Sequence, residues 1–166
     1  VARRVYHRAT LHDKRVLALG GAKNHIILLP DADPEVTGMG VADSFTGCAG
    51  QRCMAASVLV TVGDCESLIG KIVSAARTKQ PGVNLGAIIT RQSRERLVSA
   101  INQAEKEGVR VLLDGRHCQP PSAYAQGNWL GPTVLDLVRP GSTAACDELF
   151  GPILSVIRTQ TLSEAI

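Results

Sequence analysis

Aromatic residues are scarce in this chain: five in 166 (Tyr6, Phe45, Tyr124, Trp129, Phe150). They are too few and too scattered to form the platforms on which nucleic-acid bases stack. The cations do not cluster either. Eighteen Lys and Arg against 15 Asp and Glu leave a net charge of +3, and the basic residues (Arg3, Lys14, Lys71, Arg91, Arg110, Arg139) are spread along the chain. Both absences argue against a nucleic-acid partner. No apolar run approaches the roughly 20 residues needed to cross a bilayer, and Val1 to Tyr6 lacks the apolar core of a signal peptide, so no membrane partner is expected. The five cysteines (Cys48, Cys53, Cys65, Cys118, Cys146) show neither CxxC nor Cys/His metal spacing. An odd number in that arrangement argues against a disulfide framework or a zinc site and for reduced thiols in a reducing compartment. There is also no GxGxxG dinucleotide fingerprint.

What is present is an ordinary globular composition, 45% hydrophobic and 20% charged, long enough for one domain with a real core. Val1 to Asp13 reads as the end of a helix without a cap. Arg15 to Leu19 and Asn24 to Leu29 read as two buried strands or extended segments around Gly20-Gly21. Asp33 and Pro34 open a helix that runs to about Cys48, with Gly38 and Gly40 weakening its middle. Ser57 to Val62 is β-rich. Asp64 caps a helix whose apolar face holds Leu68, Ile69, Ile72, Val73 and Ala76. Thr90 opens another, with Leu97, Val98, Ile101 and Ala104 facing the core and Gly108 ending it. Val109 to Leu113, Thr133 to Val138 and Ile153 to Ile157 are further strands, and a polar excursion through Trp129 separates the first two. Thr161 begins a last helix. Strands alternating with amphipathic helices predict an α/β domain: a three-layer, open, mainly parallel sheet with helices on both faces. The ragged ends lead us to expect a piece of a larger protein, with 1–20 the tail of a cofactor-domain or linker segment and 21–166 a catalytic domain truncated at its C-terminus.

The most informative stretch is Gly47-Cys48-Ala49-Gly50-Gln51-Arg52-Cys53-Met54. It follows a helix, is loosened by glycines and leads into a buried strand, so a cysteine there is reachable from solvent. Arg52 beside Cys53 is a fixed positive charge that favours thiolate over thiol. The other four cysteines read as small buried hydrophobes. His25, at the head of an apolar run, reads as a core histidine, and Asp31 and Asp33 as turn and cap residues.

Five motifs in order carry a resemblance: Ala18-Leu19-Gly20-Gly21-Ala22-Lys23-Asn24-His25, Pro30-Asp31-Ala32-Asp33, Gly50-Gln51-Arg52-Cys53, Gly131-Pro132-Thr133 and Glu148-Leu149-Phe150-Gly151-Pro152. Together they resemble the aldehyde dehydrogenase superfamily over nearly the whole chain. The resemblance implies that Cys53 is the nucleophile that attacks an aldehyde, gives a thiohemiacetal and then a thioester, with NAD as hydride acceptor. The Cys53 backbone N–H would help to hold the oxyanion. It further implies that Glu148 accepts from the nicotinamide ribose hydroxyls, that Phe150 packs near the nicotinamide, and that the Leu19 carbonyl accepts from the carboxamide.

One departure matters. Most of the superfamily has Glu where Ala18 stands, and that carboxylate activates water against the thioester. A methyl group cannot take a proton. The Leu-Gly-Gly-Ala-Lys-Asn-His and Gly-Gln-Arg-Cys-Met-Ala segments resemble the methylmalonate-semialdehyde dehydrogenases, which pass the acyl group to coenzyme A, with loss of carbon dioxide. In that reading Arg52 anchors the substrate's carboxylate by charge-assisted hydrogen bonds. The resemblance also implies a homo-oligomer in a cytoplasmic or mitochondrial-matrix setting. Without a cofactor domain, the isolated chain is expected to be nearly inactive as a dehydrogenase. Two alternatives stay open: an ordinary hydrolytic aldehyde dehydrogenase, and a catalytically silent domain acting through subunit contacts.

Overall fold

Five strands make a single sheet in the order β1-β2-β5-β4-β3. These are β1 (Asn24–Leu28), β2 (Ala56–Val62), β3 (Arg110–Leu113), β4 (Thr133–Asp136) and β5 (Ile153–Thr159). The computed structural model describes residues 1–166. β1, β2, β5 and β4 pair in parallel, and β3 closes the far edge antiparallel to β4. Parallel strands buried on both faces need continuous apolar sequence, and β2 (Ala-Ser-Val-Leu-Val-Thr-Val) and β5 supply it.

Alternation along these strands builds two cores. Val58, Val60, Leu135, Ile153 and Ile157 face α4 (Arg91–Lys106), whose Leu97, Ile101 and Ala104 are fully covered. Leu59, Val134, Leu154 and Val156 face α2 (Pro34–Thr46) and α3 (Glu66–Arg77). The expected three layers are therefore present. Three further helices, α1 (Ala2–Thr10), α5 (Thr143–Cys146) and α6 (Leu162–Ala165), complete the chain, the last with a capping box between Thr161 and Glu164. No helix is long and apolar enough to cross a membrane.

Helix boundaries follow local chemistry. The Asp33 carboxylate accepts from Glu35 N and Val36 N, both at 2.9 Å, with Pro34 as the first helical residue. α2 runs unbroken through Gly38, where the missing side chain lets α3 pack closely: a Cβ there would lie 3.3 Å from Lys71 Cβ and Lys71 O. The helix ends at Thr46, two residues before the expected Cys48, because Cys48 and Ala49 turn into the left-handed region at φ 52° and 53°. Asp64 bonds Glu66 N at 3.1 Å, with Cys65 standing between it and the first helical residue.

Three expectations are corrected. Of the four cysteines read as small buried hydrophobes, only Cys65 is buried; Cys118 is half-buried, and Cys48 and Cys146, on the loop after α2 and at the end of α5, are exposed. Arg15 to Leu19 is neither strand nor buried: Leu17 is 85% exposed and Leu19 76%. Only Asn24–Leu28 finds the neighbouring edge of β2, so the residues before it gain no ladder. His25 is not a core histidine. It faces solvent, with its Nδ1 2.8 Å from Lys23 O.

Candidate active site

The loops that matter sit at the amino ends of parallel strands. Residues 47–55 lead into β2, residues 147–152 into β5, and residues 19–23 into β1. Cys53, Arg52, Glu148 and Phe150 line one narrow crevice, together with Ala22 and Gly50. Four of the five residues singled out from sequence are thus brought together. Leu19 lies on the exposed segment before β1 and is not among the lining residues. Two residues later Gly21 comes close to the crevice, where a Cβ would sit 3.4 Å from Glu148 Oε2.

The nucleophile loop and the Glu148 loop meet backbone to backbone. Gly50 has φ 69°, and a Cβ there would lie 2.0 Å from Gly151 O and 2.8 Å from Pro152 N. Only glycine allows that approach. Facing it, Phe150 also takes a left-handed conformation at φ 61°. Left-handed backbone in non-glycine residues is costly and persists only where surroundings over-determine it. Cys48, Ala49 and Phe150 all lie within five residues of Cys53 or two of Glu148, so the strain is concentrated at this crevice.

Side chains fix these loops. Gln51 Nε2 donates to Cys48 O (3.3 Å) and Ala87 O (3.1 Å), and its Oε1 accepts from Ile89 N at 2.9 Å. It therefore ties the Cys53 loop to residues 87–89. Arg52 lies flat over Gly47, and its Nη2 donates to the carbonyls of Asp43 (3.0 Å) and Ser44 (2.9 Å) near the end of α2. Nη1 and Nε donate to no protein acceptor. Arg52 is thus partly a helix C-terminal partner, a favourable place for a cation. Its remaining donors have no protein partner, and the residue is exposed and lines the crevice. Cys53 itself is exposed and unpaired with any other sulfur.

Two residues that sequence reasoning passed over belong to this frame. Asn24 Nδ2 donates to Cys53 O at 2.7 Å and Ala55 O at 3.1 Å. Lys23 Nζ donates to Asp147 O at 2.7 Å, beside Glu148. Burial pushes the Lys23 ammonium below its ordinary pKa, against the opposing charges of Asp147, Cys146 and Glu148. The available signal was Asn opening an apolar strand, where asparagine is normally depleted. A wider cleft of about 610 Å³ lies alongside, lined by Gly21, Lys23, Arg96, Cys146, Asp147 and Glu148 among others. It shares Ala22, Glu148 and Leu149 with the crevice but not Cys53.

Comparison with known proteins gives a family for the whole chain. The model of the aldehyde dehydrogenase family matches residues 1–166. The chain is 42% identical to the human mitochondrial methylmalonate-semialdehyde/malonate-semialdehyde dehydrogenase (acylating), over 98% of this chain and 31% of that protein. It is 44% identical to malonate-semialdehyde dehydrogenase 3 of Geobacillus kaustophilus, over 100% of this chain and 35% of that one. Among solved structures it superposes on methylmalonate-semialdehyde dehydrogenase from Oceanimonas doudoroffii with a TM-score of 0.87 at 38% identity, covering 99% of this chain and 35% of that one. A putative methylmalonate-semialdehyde dehydrogenase of Sinorhizobium meliloti, complexed with NAD, gives 0.89 at 35% identity, again covering 99% and 35%. The chain spans about a third of the length of these relatives.

Proposed function

The chain belongs to the aldehyde dehydrogenase family, and from that premise we propose that it carries the acyl-transfer centre of an NAD-dependent, coenzyme A-acylating (methyl)malonate-semialdehyde dehydrogenase. The crevice carries this reading, with an exposed cysteine and an arginine on one loop facing a carboxylate and an aromatic ring on the other. Residues 21–166 form the catalytic domain, and 1–20 the end of a cofactor-domain or linker segment. The absence of any buried residue in α1 and the exposure of Leu17 and Leu19 support that division.

The Cys53 thiolate adds to the aldehyde carbon, giving a thiohemiacetal whose oxyanion accepts from the Cys53 N–H. Arg52, held through Nη2, offers its free N–H groups to the substrate's carboxylate. A guanidinium already fixed in place loses less entropy on binding a carboxylate. The exposed Glu148 carboxylate and the partly exposed Phe150 ring share the crevice with Cys53, so they suit a nicotinamide riboside: Glu148 would hold the ribose hydroxyls and Phe150 would pack near the ring. The Leu19 carbonyl would accept from the carboxamide. NAD, when bound, supplies the hydride acceptor that turns the Cys53 adduct into a thioester. The coenzyme A thiolate then attacks the thioester carbon, acyl-CoA leaves, and Cys53 returns as thiolate. The methyl side chain of Ala18 gives water no general base, which favours the thiol over water as acceptor.

The same centre can be tested without NAD. Acylating the chain with p-nitrophenyl propionate should place the acyl group on Cys53, as located by peptide mass spectrometry. The acyl group should persist in buffer and discharge as propionyl-CoA when coenzyme A is added. Loss at the same rate with and without coenzyme A would sink the acyl-transfer reading in favour of hydrolysis. NADH formation from semialdehyde by this chain alone is expected to be negligible.

A further inference from the structure

Two peptide planes flank Cys53, and each is held by one hydrogen bond. The Arg52–Cys53 plane is pinned where Arg52 O accepts from Ala55 N at 3.1 Å. The Cys53–Met54 plane is pinned where Cys53 O accepts from the Asn24 amide at 2.7 Å. The second bond comes from far along the chain, 29 residues upstream. The same NH₂ group also reaches Ala55 O at 3.1 Å, so Asn24 spans the exposed Met54 from both sides.

Strand register makes this possible. Asn24 pairs with Ala56 and the next residue, His25, with Val58, a one-residue slip on the β2 side. That irregularity lies at the first rung of the β1–β2 ladder, where the Asn24 side chain meets the loop before β2. Such slips re-aim side chains next to functional sites. The preceding residue grips the other side of the crevice, since Lys23 Nζ donates to Asp147 O at 2.7 Å.

We propose that Asn24 is a positioning residue for Cys53: by gripping Cys53 O and Ala55 O it holds the Arg52–Ala55 turn in place, and with it the peptide plane that aims the Cys53 N–H, and the Cys53 Sγ, toward a reacting carbonyl. This rests on the reading of Cys53 as the acyl-carrying thiol. Asn24 touches neither substrate nor cofactor in this role and works through the backbone of its neighbour. With Asn24 gone, the Arg52–Ala55 turn is closed only by its own Ala55 N–H to Arg52 O bond, and it can shift as a whole, carrying the Cys53 N–H and Sγ with it.

Two reactions of the same thiol separate positioning from simple loosening. Alkylation by iodoacetamide needs a thiolate but generates no oxyanion. Acylation by p-nitrophenyl acetate passes through a tetrahedral oxyanion and needs the Cys53 N–H aimed at it. Both are followed on the Cys53 peptide by mass spectrometry, in the wild-type chain and in Asn24→Ala and the isosteric Asn24→Asp. Alkylation of the buried Cys65 reports whether the fold has opened. The expected result is a loss of about tenfold in Cys53 acylation, the effect of about one well-placed hydrogen bond. Cys53 alkylation should stay within about threefold of wild type, and Cys65 should stay protected. Acylation and alkylation changing in parallel, or neither changing, would overturn the proposal. So would loss of Cys65 protection in both variants, because Asn24 would then support the fold and not the thiol. Failure of the wild-type chain to acylate at Cys53 in preference to Cys48 and Cys146 would instead count against the function proposed above.

Discussion

Replacing Gly50 by alanine should damage fold and thiol chemistry together, and by an amount that the geometry sets. The new Cβ would stand 2.0 Å from Gly151 O and 2.3 Å from Gly151 C, where ordinary contact begins near 3.4 Å. The two loops must therefore part by more than an ångström, and the obstructing atoms are backbone, which cannot rotate aside. An alanine at φ 69° adds about 1 kcal/mol of left-handed strain relative to glycine. Overpacking adds roughly 1–3 kcal/mol. The total is about 2–4 kcal/mol, which at a slope of roughly 2 kcal/mol per molar urea lowers the unfolding midpoint by about 1–2 M. Because a misplacement of about 1 Å costs on the order of a hundredfold in a positioned reaction, Cys53 acylation should fall at least tenfold in the protein that remains folded. Gly86→Ala is the control: no heavy atom lies within 4 Å of its Cβ, and its φ is not positive. Equal midpoints and equal acylation rates for the two variants would refute the reasoning that the two loops are held in register by contact at Gly50.

Gln51→Ala removes two hydrogen bonds between the Cys53 loop and residues 87–89, and one to Cys48 O within the loop; hydrogen exchange at the Ile89 amide should accelerate several-fold, and unchanged protection there would show that Gln51 is not the tie. Asp136 is fully buried and takes hydrogen bonds from Arg110, Arg158 and Leu137 N. Burial alone would raise its pKa, but the bonds from Arg158 and Arg110 outweigh it and hold the carboxyl below its ordinary value. Such a group stabilises the fold fully above about pH 4 and loses that contribution as pH falls through its lowered value. Asp136→Asn should therefore cost about 2–3 kcal/mol in urea at pH 7, a gap that narrows toward pH 3. A gap that stays constant or widens on acidification would contradict this.

Much of the architecture was legible from pattern alone. The runs Leu68-Ile69-Ile72 and Leu97-Ile101-Ala104 repeat with helical period and end up wholly covered. Thr90, Asp33 and Thr161 announce helix starts that their side chains do cap. The segment from Arg15 to Leu19 misled because apolar content predicts burial only where the fold offers a neighbour, and here β1 is already the edge. At the candidate site, the local sequence pointed to Cys53 and Arg52, and the resemblance of the ordered motifs to a known family added Glu148 and Phe150; the four share one crevice. What pattern could not supply was the set of side-chain bonds holding the crevice in shape. Asn24, Gln51 and Lys23 act across 29, 38 and 124 residues of sequence respectively, and no periodicity encodes such pairings. The turn of Arg52 onto the end of α2 was hidden for the same reason, since its partners are carbonyls that every residue carries.

Ligand crevices in open α/β sheets usually lie beyond the carboxyl ends of the strands, whereas this one opens at the amino ends of β1, β2 and β5. The residues proposed to grip a ligand are thus the last to be laid down before each ladder begins. The first rung of β1 on β2, Asn24 opposite Ala56, is both the start of the sheet and the anchor of the cysteine loop. Strand ends open locally at lower free energy than strand centres. Warming the protein should therefore disorganise the thiol's surroundings while the two apolar cores are still intact, so that chemical competence is lost at a lower temperature than the fold itself.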